Sequence, residues 1–437
     1  MEKLGVNRLH ASKRGRRIVA AAAAIGVAVA LTACSNSTGQ SSTASLSKNT
    51  KATLTVWTYL DTPGTSSQAF NQENALFQKQ FPNVKVNVVQ IPSATEDSKL
   101  LTAATAKNGP DVVQDNPDAD LYELASSGAI ADISSYWKKY SQASEFPASA
   151  TWTYKGNIVT AQSYTNLLGI WYNKTLLDSL GLKPATSISE LNAQLPAIKA
   201  AGDVGLMFDA APGLANATWQ MYPWITANGG NFCTLNGNAS VSALTQLSKW
   251  AKAGYVSPNT PTWVNQDITQ SGFTDGKLAY VEDGNWASGA LTAAKLPFTF
   301  GSEPFFSGTA GSHVLLGGEG WAVGGFSQQK QLAFDYITDS WLSKAGGEIS
   351  FKLNGAIPTR ADVAPAVQGQ PLTSAFLPAV KTAASWPSAS QANKAETDVS
   401  NVLSGIMAGS LTPSAGAAQA ASVLKTDIAS GTGSCSG

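Results

Sequence analysis

Leu54 and Val56 alternate with Thr53, Thr55 and Trp57, a period of two that predicts a strand over 52–59. Phe70, Phe77 and Phe81 follow at spacings of seven and four, one face of a helix that Pro82 and Asn83 stop. Val84, Val86 and Val88 restore the strand period. A helical stretch over 99–107 then leads through Gly109-Pro110 into Asp111-Val112-Val113, a short apolar run suited to a buried strand. Strands separated by helices predict a mainly parallel sheet in an α/β layer fold.

Further along, 157–172 reads as extended. Ser187 and Glu190 form a capping-box pattern opening a helix that Pro196 is expected to kink or break. Val241, Leu244, Leu247 and Ala251 mark an amphipathic helix closed by Gly254. Leu332, Tyr336 and Ile337 share a face of another, expected to end near Gly346-Gly347, and Val399, Leu403, Ile406 and Met407 keep helical spacing near the C-terminus. There is no internal repeat.

The first 33 residues break from this pattern. Basic residues Lys13, Arg14, Arg16 and Arg17 precede a 14-residue apolar run over 18–31, short of the roughly 20 a spanning helix needs, and Leu31-Thr32-Ala33-Cys34 follows as a lipobox. The expectation is a lipoprotein signal peptide over 1–33, with lipid on Cys34 of the mature chain. Residues 35–50 include nine Ser or Thr, too little apolar surface to offset ordering entropy, so 34–50 reads as a tether. The rest is longer than one core usually supports, and two domains are expected.

Removing the leader changes the charge. It holds six of the 29 basic residues and one of the 29 acidic ones, which leaves 23 against 28 and a net charge of −5. With no basic excess and no Lys/Arg cluster beyond the leader, nucleic acid is not an expected partner. Only 13% of residues are charged, against 12 Trp and 11 Tyr, a balance that favours a neutral, amphipathic ligand. With Cys34 lipidated, Cys233 and Cys435 remain, either as a disulfide or as one buried thiol and one in the tail.

His10 leaves with the leader, so His313 alone remains, and one histidine builds no multi-histidine metal centre. No G-x-S-x-G elbow accompanies it, and neither nucleotide-binding glycine signature is present, so no metal or cofactor is expected. A glycosidase needs only two carboxylates at a set separation, a role for which Asp283 and Glu319 are available.

TLTVWTY, FPNVKVNVV, GPDVV followed by LYELASSGAIADI, LLGIWYNKTLLDSLGL with SISEL, FTDGKLAYVEDGNWA, LGGEGWAVGGFSQQKQLAFDYITDSWL and NGAIPTR stand in that order over about 53–428. In this order the chain resembles the extracellular solute-binding proteins of carbohydrate ABC transporters, the maltose-binding-protein-like group. The resemblance implies a two-lobed periplasmic-binding fold of type II, with mixed sheets flanked by helices and three hinge crossings, near 161–166, 313–318 and 356–360. Lobe 1 would comprise 51–162 and 319–357, lobe 2 163–318 and 358–437. It further implies a lipid-anchored, monomeric, non-enzymatic receptor on the extracellular face of the membrane, whose partners are a sugar and the permease subunits of an ABC transporter. A lipid-anchored glycosidase and a peptide receptor of the same fold are the alternatives.

A pyranose offers apolar C–H faces and a rim of hydroxyls, so its site needs flat aromatics and planar hydrogen-bonding groups. By the resemblance, Trp286 would stack on the sugar and Asn285 bind a hydroxyl. Trp57 and Asp61 follow the first strand, Asp115 and Asn116 the third, and Tyr164 and Asn166 stand at the first crossing. Trp219 and Tyr222 suit the second lobe or its core equally. Gly318 would allow close backbone approach, Glu319 would accept from two hydroxyls, and Trp321 would share its side. Arg360 would touch sugar or pair with a hinge carboxylate, and Trp386 would add another aromatic. The adjacent carboxylates Glu282 and Asp283 have no assigned role.

Overall fold

The computed structural model describes residues 46–59, 65–117, 121–213, 216–265, 268–363, 370–386 and 391–429. The leader, Cys34, Asp61 and Cys435 lie outside the described residues.

The predicted β-α-β-α-β opening is present. β1 (Ala52–Thr58), β2 (Val84–Gln90) and β3 (Val112–Asp115) alternate with helices Thr65–Gln80 and Ser93–Thr105, and β1 pairs in parallel with both β2 and β3. Phe70 and Phe77 are buried on the inner face of the first helix, and their rings pack on Trp341 and Tyr336. The extended run 157–172 divides into β5 (Asn157–Asn166) and β6 (Leu168–Asn173), which belong to different sheets with only Leu167 between them.

The first sheet has seven strands. Its order is β11-β5-β10-β3-β1-β2, with β4 (Thr151–Tyr154) on β5, β10 at Gly317–Val323 and β11 at Ile357–Pro358. The second runs β7-β8-β6-β9, with β7 at Val204–Met207, β8 at Leu278–Gly284 and β9 at Phe300–Pro304. Each sheet has its own core. On the first, strand alternation sends Val112, Trp321 and Val323 to one apolar layer and Val113 and Ala322 to the other. The second core gathers Trp171, Leu206, Trp224, Trp250 and Tyr280 with helices Asn238–Lys252 and Ala392–Met407.

Three expectations are corrected. Helix Ile188–Ala200 is not broken at Pro196, because Ile188, Leu191, Leu195 and Ile198 bury its inner face, which leaves only the expected alternative of a kink. Gly346 and Gly347 lie inside helix Lys344–Asn354, which Ser343 caps through the Gly346 N–H at 3.0 Å. Gly346 is needed because a Cβ there would collide with the Ser340 carbonyl, whereas Gly355, in left-handed backbone at φ 65°, ends the helix. The last passage between sheets comes after 356–360. Through Val363 the chain stays with the first-sheet side, Ala361 N–H donating to the Glu145 carbonyl, and by Leu372 its carbonyl accepts from Ser302 of β9.

Candidate ligand-binding cleft

β1 and β3 end at the same edge of the first sheet, and antiparallel β10 begins there. Parallel β7 and β8 likewise end at the edge of the second sheet where β6 begins. Since β6 follows β5 after a single residue, these two edges meet at Leu167. Crevices outside the carboxyl ends of strands are where open α/β sheets hold ligands.

On the first edge the organising group is Glu319, buried at 8% exposure. Its Oε2 accepts from the Tyr59 hydroxyl and from Gln114 Nε2 at 2.7 Å, and Gln114 Oε1 in turn accepts from the Thr58 hydroxyl. Burial, and then the Glu319 carboxylate, push the hydroxyls of both Tyr59 and Tyr164 well up, so both remain neutral donors. Tyr164 lies opposite Glu319 in the β5–β10 register. Asp115, also buried, accepts from Thr160 Oγ1 at 2.7 Å, and half-buried Asn116 follows it. Gly318 has φ 139°, and a Cβ there would collide with the Tyr164 carbonyl, so β10 enters the sheet only with glycine at this position. Trp57 points away, half-buried against the layer that holds Leu100 and Val113.

On the second edge, half-buried Trp286 folds over Gly284, where any Cβ would strike its ring, and Trp219 covers Gly317 in the same way. Tyr222 packs at a tilt of 38° on Phe232 with centroids 5.4 Å apart. Asn285 is fully buried. Its Oδ1 accepts from the Leu167 N–H at 2.7 Å, and its Nδ2 donates to Asn166 Oδ1 at 3.2 Å and to the Gly355 carbonyl at 2.9 Å. Both amide hydrogens are committed to the protein, so Asn285 is a tie and not the hydroxyl binder expected.

Trp321 and Trp386 differ from expectation, and Arg360 takes the second of its two expected roles, pairing with a carboxylate. Trp321 shares the face of Glu319 but lies two residues deeper, 1% exposed and stacked on Trp341 at 4.2 Å, so it is core. Arg360 is spent on structure: its guanidinium holds Asp362 through two bonds of 2.8 and 2.9 Å and also donates to Gln142 and the Leu342 carbonyl. Trp386 is buried, its indole N–H on the Ala392 carbonyl and its ring edge-on to Phe232. Cys233 is disulfide-bonded, with its partner outside the described residues.

The unassigned pair now has a place. Glu282 is fully buried, and its Oε2 accepts from Trp224 Nε1 at 2.5 Å. Burial pushes its carboxyl well up, the Asp283 and Asp209 charges add to this, and only the Trp224 bond opposes it. Asp283 accepts from the Gly284 N–H at 2.7 Å. Tyr59 and Gln114 were not singled out in the sequence. Gln114 did carry a signal, a polar side chain that follows the apolar pair Val112-Val113 in a strand buried throughout. No group of three or more His, Cys, Asp and Glu among the described residues is arranged to hold a metal, and no described helix is long and apolar enough to cross a membrane.

The profile of the bacterial extracellular solute-binding proteins matches residues 74–376. The chain belongs to this family. Solved structures share the fold of this solute-binding protein across nearly its whole body. The GacH receptor of Streptomyces glaucescens, studied with acarbose, is 21% identical over 87% of this chain and 99% of its own, with a TM-score of 0.77. Maltose-bound MalE3 of T. maritima is 19% identical over 86% and 99%, at 0.78. An ABC substrate-binding protein of Listeria monocytogenes in complex with cycloalternan is 19% identical over 87% and 100%, at 0.75. These neighbours are binding proteins with two sheets flanked by helices, the architecture described above.

Proposed function

We propose that this solute-binding protein is a non-enzymatic carbohydrate receptor. It captures a sugar or oligosaccharide between two lobes built on the two sheets and delivers it to the permease of an ABC transporter, held at the outer membrane face by lipid on Cys34. One observation carries the sugar reading: a buried carboxylate, Glu319, fixed by Tyr59 and Gln114 beside Asp115, Asn116 and Tyr164, on a sheet edge that has Trp219 over Gly317 and meets the edge carrying Trp286 at Leu167. Planar acceptors and donors suit hydroxyls, and flat aromatics suit pyranose faces. The sugar ligands named for the three structural neighbours support the same class.

A thermal-shift panel of mono- and oligosaccharides tests it. A ligand specific to the native state at 100 times its Kd adds about 2.7 kcal/mol of stability. At least one sugar should therefore raise the melting temperature at millimolar concentration, with no labelled product released. No shift with any sugar, or steady turnover, overturns the reading.

A further inference from the structure

We propose that Asn285 is the positioning residue of the cleft: its carboxamide ties the β8 end that carries Trp286 to the first passage between the sheets and to the turn before β11, so that aromatic wall and hinge move together. β5 of the first sheet ends at Asn166 and β6 of the second begins at Leu168, so any rotation of one sheet against the other must act on the backbone around Leu167. Asn285 grips that backbone from the second sheet twice, its own N–H donating to the Leu167 carbonyl at 3.1 Å and its Oδ1 accepting from the Leu167 N–H.

Its amide nitrogen reaches the other way. One hydrogen goes to the side chain of Asn166, the last residue of β5, and the other to the carbonyl of Gly355, which closes helix Lys344–Asn354 just before β11. That turn is closely fitted, since a Cβ on Gly355 would collide with Ser288 and with the Asn285 carbonyl. A carboxamide is the smallest group that accepts at one atom and donates twice at another in one plane, and this site uses all three bonds. Trp286 is the next residue in the chain, so displacement of its ring by a ligand acts on the tie through one peptide unit. The consequence for ligand capture rests on the carbohydrate reading; the tie itself does not.

The test compares the mature protein with N285D and N285A, using amide hydrogen exchange at Leu167 and small-angle scattering without ligand and with saturating maltotetraose, or the sugar that gives the largest thermal shift. Asp is isosteric and keeps the acceptor for Leu167 while losing both donors; Ala loses all three bonds. In N285A, Leu167 should exchange about fivefold faster, the loss of one hydrogen bond of roughly 1 kcal/mol. In N285D, Leu167 should stay protected, while the ligand-free radius of gyration rises and sugar-induced compaction is lost. A purely structural role would lower the melting temperature of both variants and leave both scattering profiles unchanged. N285D scattering identical to wild type in both states overturns the proposal. If no sugar binds or compacts the wild type, the carbohydrate reading fails, and ligand-free scattering with Leu167 exchange still decides the role of Asn285.

Discussion

Glu319 and Glu282 are both buried glutamates near the edges where the sheets meet, and their surroundings differ in kind. Glu319 has two donors on one oxygen, from β3 and from the residue after β1. Glu282 has a single indole donor and two carboxylic neighbours. Donors make a carboxylate an oriented acceptor, whereas burial among other acids favours a neutral carboxyl that behaves as part of the core. The same residue type is thus an oriented acceptor in the first sheet, the role on which the carbohydrate reading rests, and filling in the second.

Depth along β10 should show the largest effect. W321A removes a ring stacked on Trp341 and is expected to cost about 3–5 kcal/mol in denaturant unfolding, while the variant that still folds keeps its sugar affinity. Glu319 comes next. E319A strands two buried donors at about 1–3 kcal/mol each, so stability should fall and titration calorimetry should find no sugar binding; unchanged affinity would remove Glu319 from the site. Glu282 should report through pH. Its carboxyl is raised in the folded state, so folding takes up a proton once pH exceeds the unfolded value of about 4.3, and stability falls as pH rises through the interval between the two values, by at most about 1.4 kcal/mol per pH unit. E282Q should flatten that slope in unfolding curves between pH 5 and the folded value, and an unaltered slope would show that Glu282 stays ionised. E73Q is the first-sheet counterpart, because burial raises Glu73 to about 8 against the Ser350 bond, which closes its window near that pH. The smallest effect is expected at Trp286, where W286F keeps a flat ring but a smaller one and should weaken sugar binding by about 1 kcal/mol with the melting temperature nearly unchanged.

Regular elements were legible wherever a periodic pattern governs them, as in Leu54 and Val56 of β1 or Val399 and Leu403 in helix Ala392–Met407. Tertiary packing defeated the local signals elsewhere. Pro196 does not break its helix because four buried side chains hold it, and Gly346-Gly347 marks a close approach and not an end. At the first sheet edge, the positions of Glu319, Asp115 and Tyr164 near strand ends were readable from the sequence. The division of the tryptophans was not, since Trp321 and Trp386 differ from Trp286 only in what lies above them. Asn285 escapes a local reading for the opposite reason: the residue type is right for a hydroxyl, but its bonds run to backbone more than a hundred positions earlier and seventy later.

Leu167 makes the molecule a lever with a very short fulcrum. A single residue between two rigid sheets leaves no slack to absorb a twist, so a small angular change there is passed undiminished to the far ends of both arms. On the carbohydrate reading, a receptor built in this way would signal occupancy by its outline, and a membrane partner would tell loaded from empty without touching the cargo.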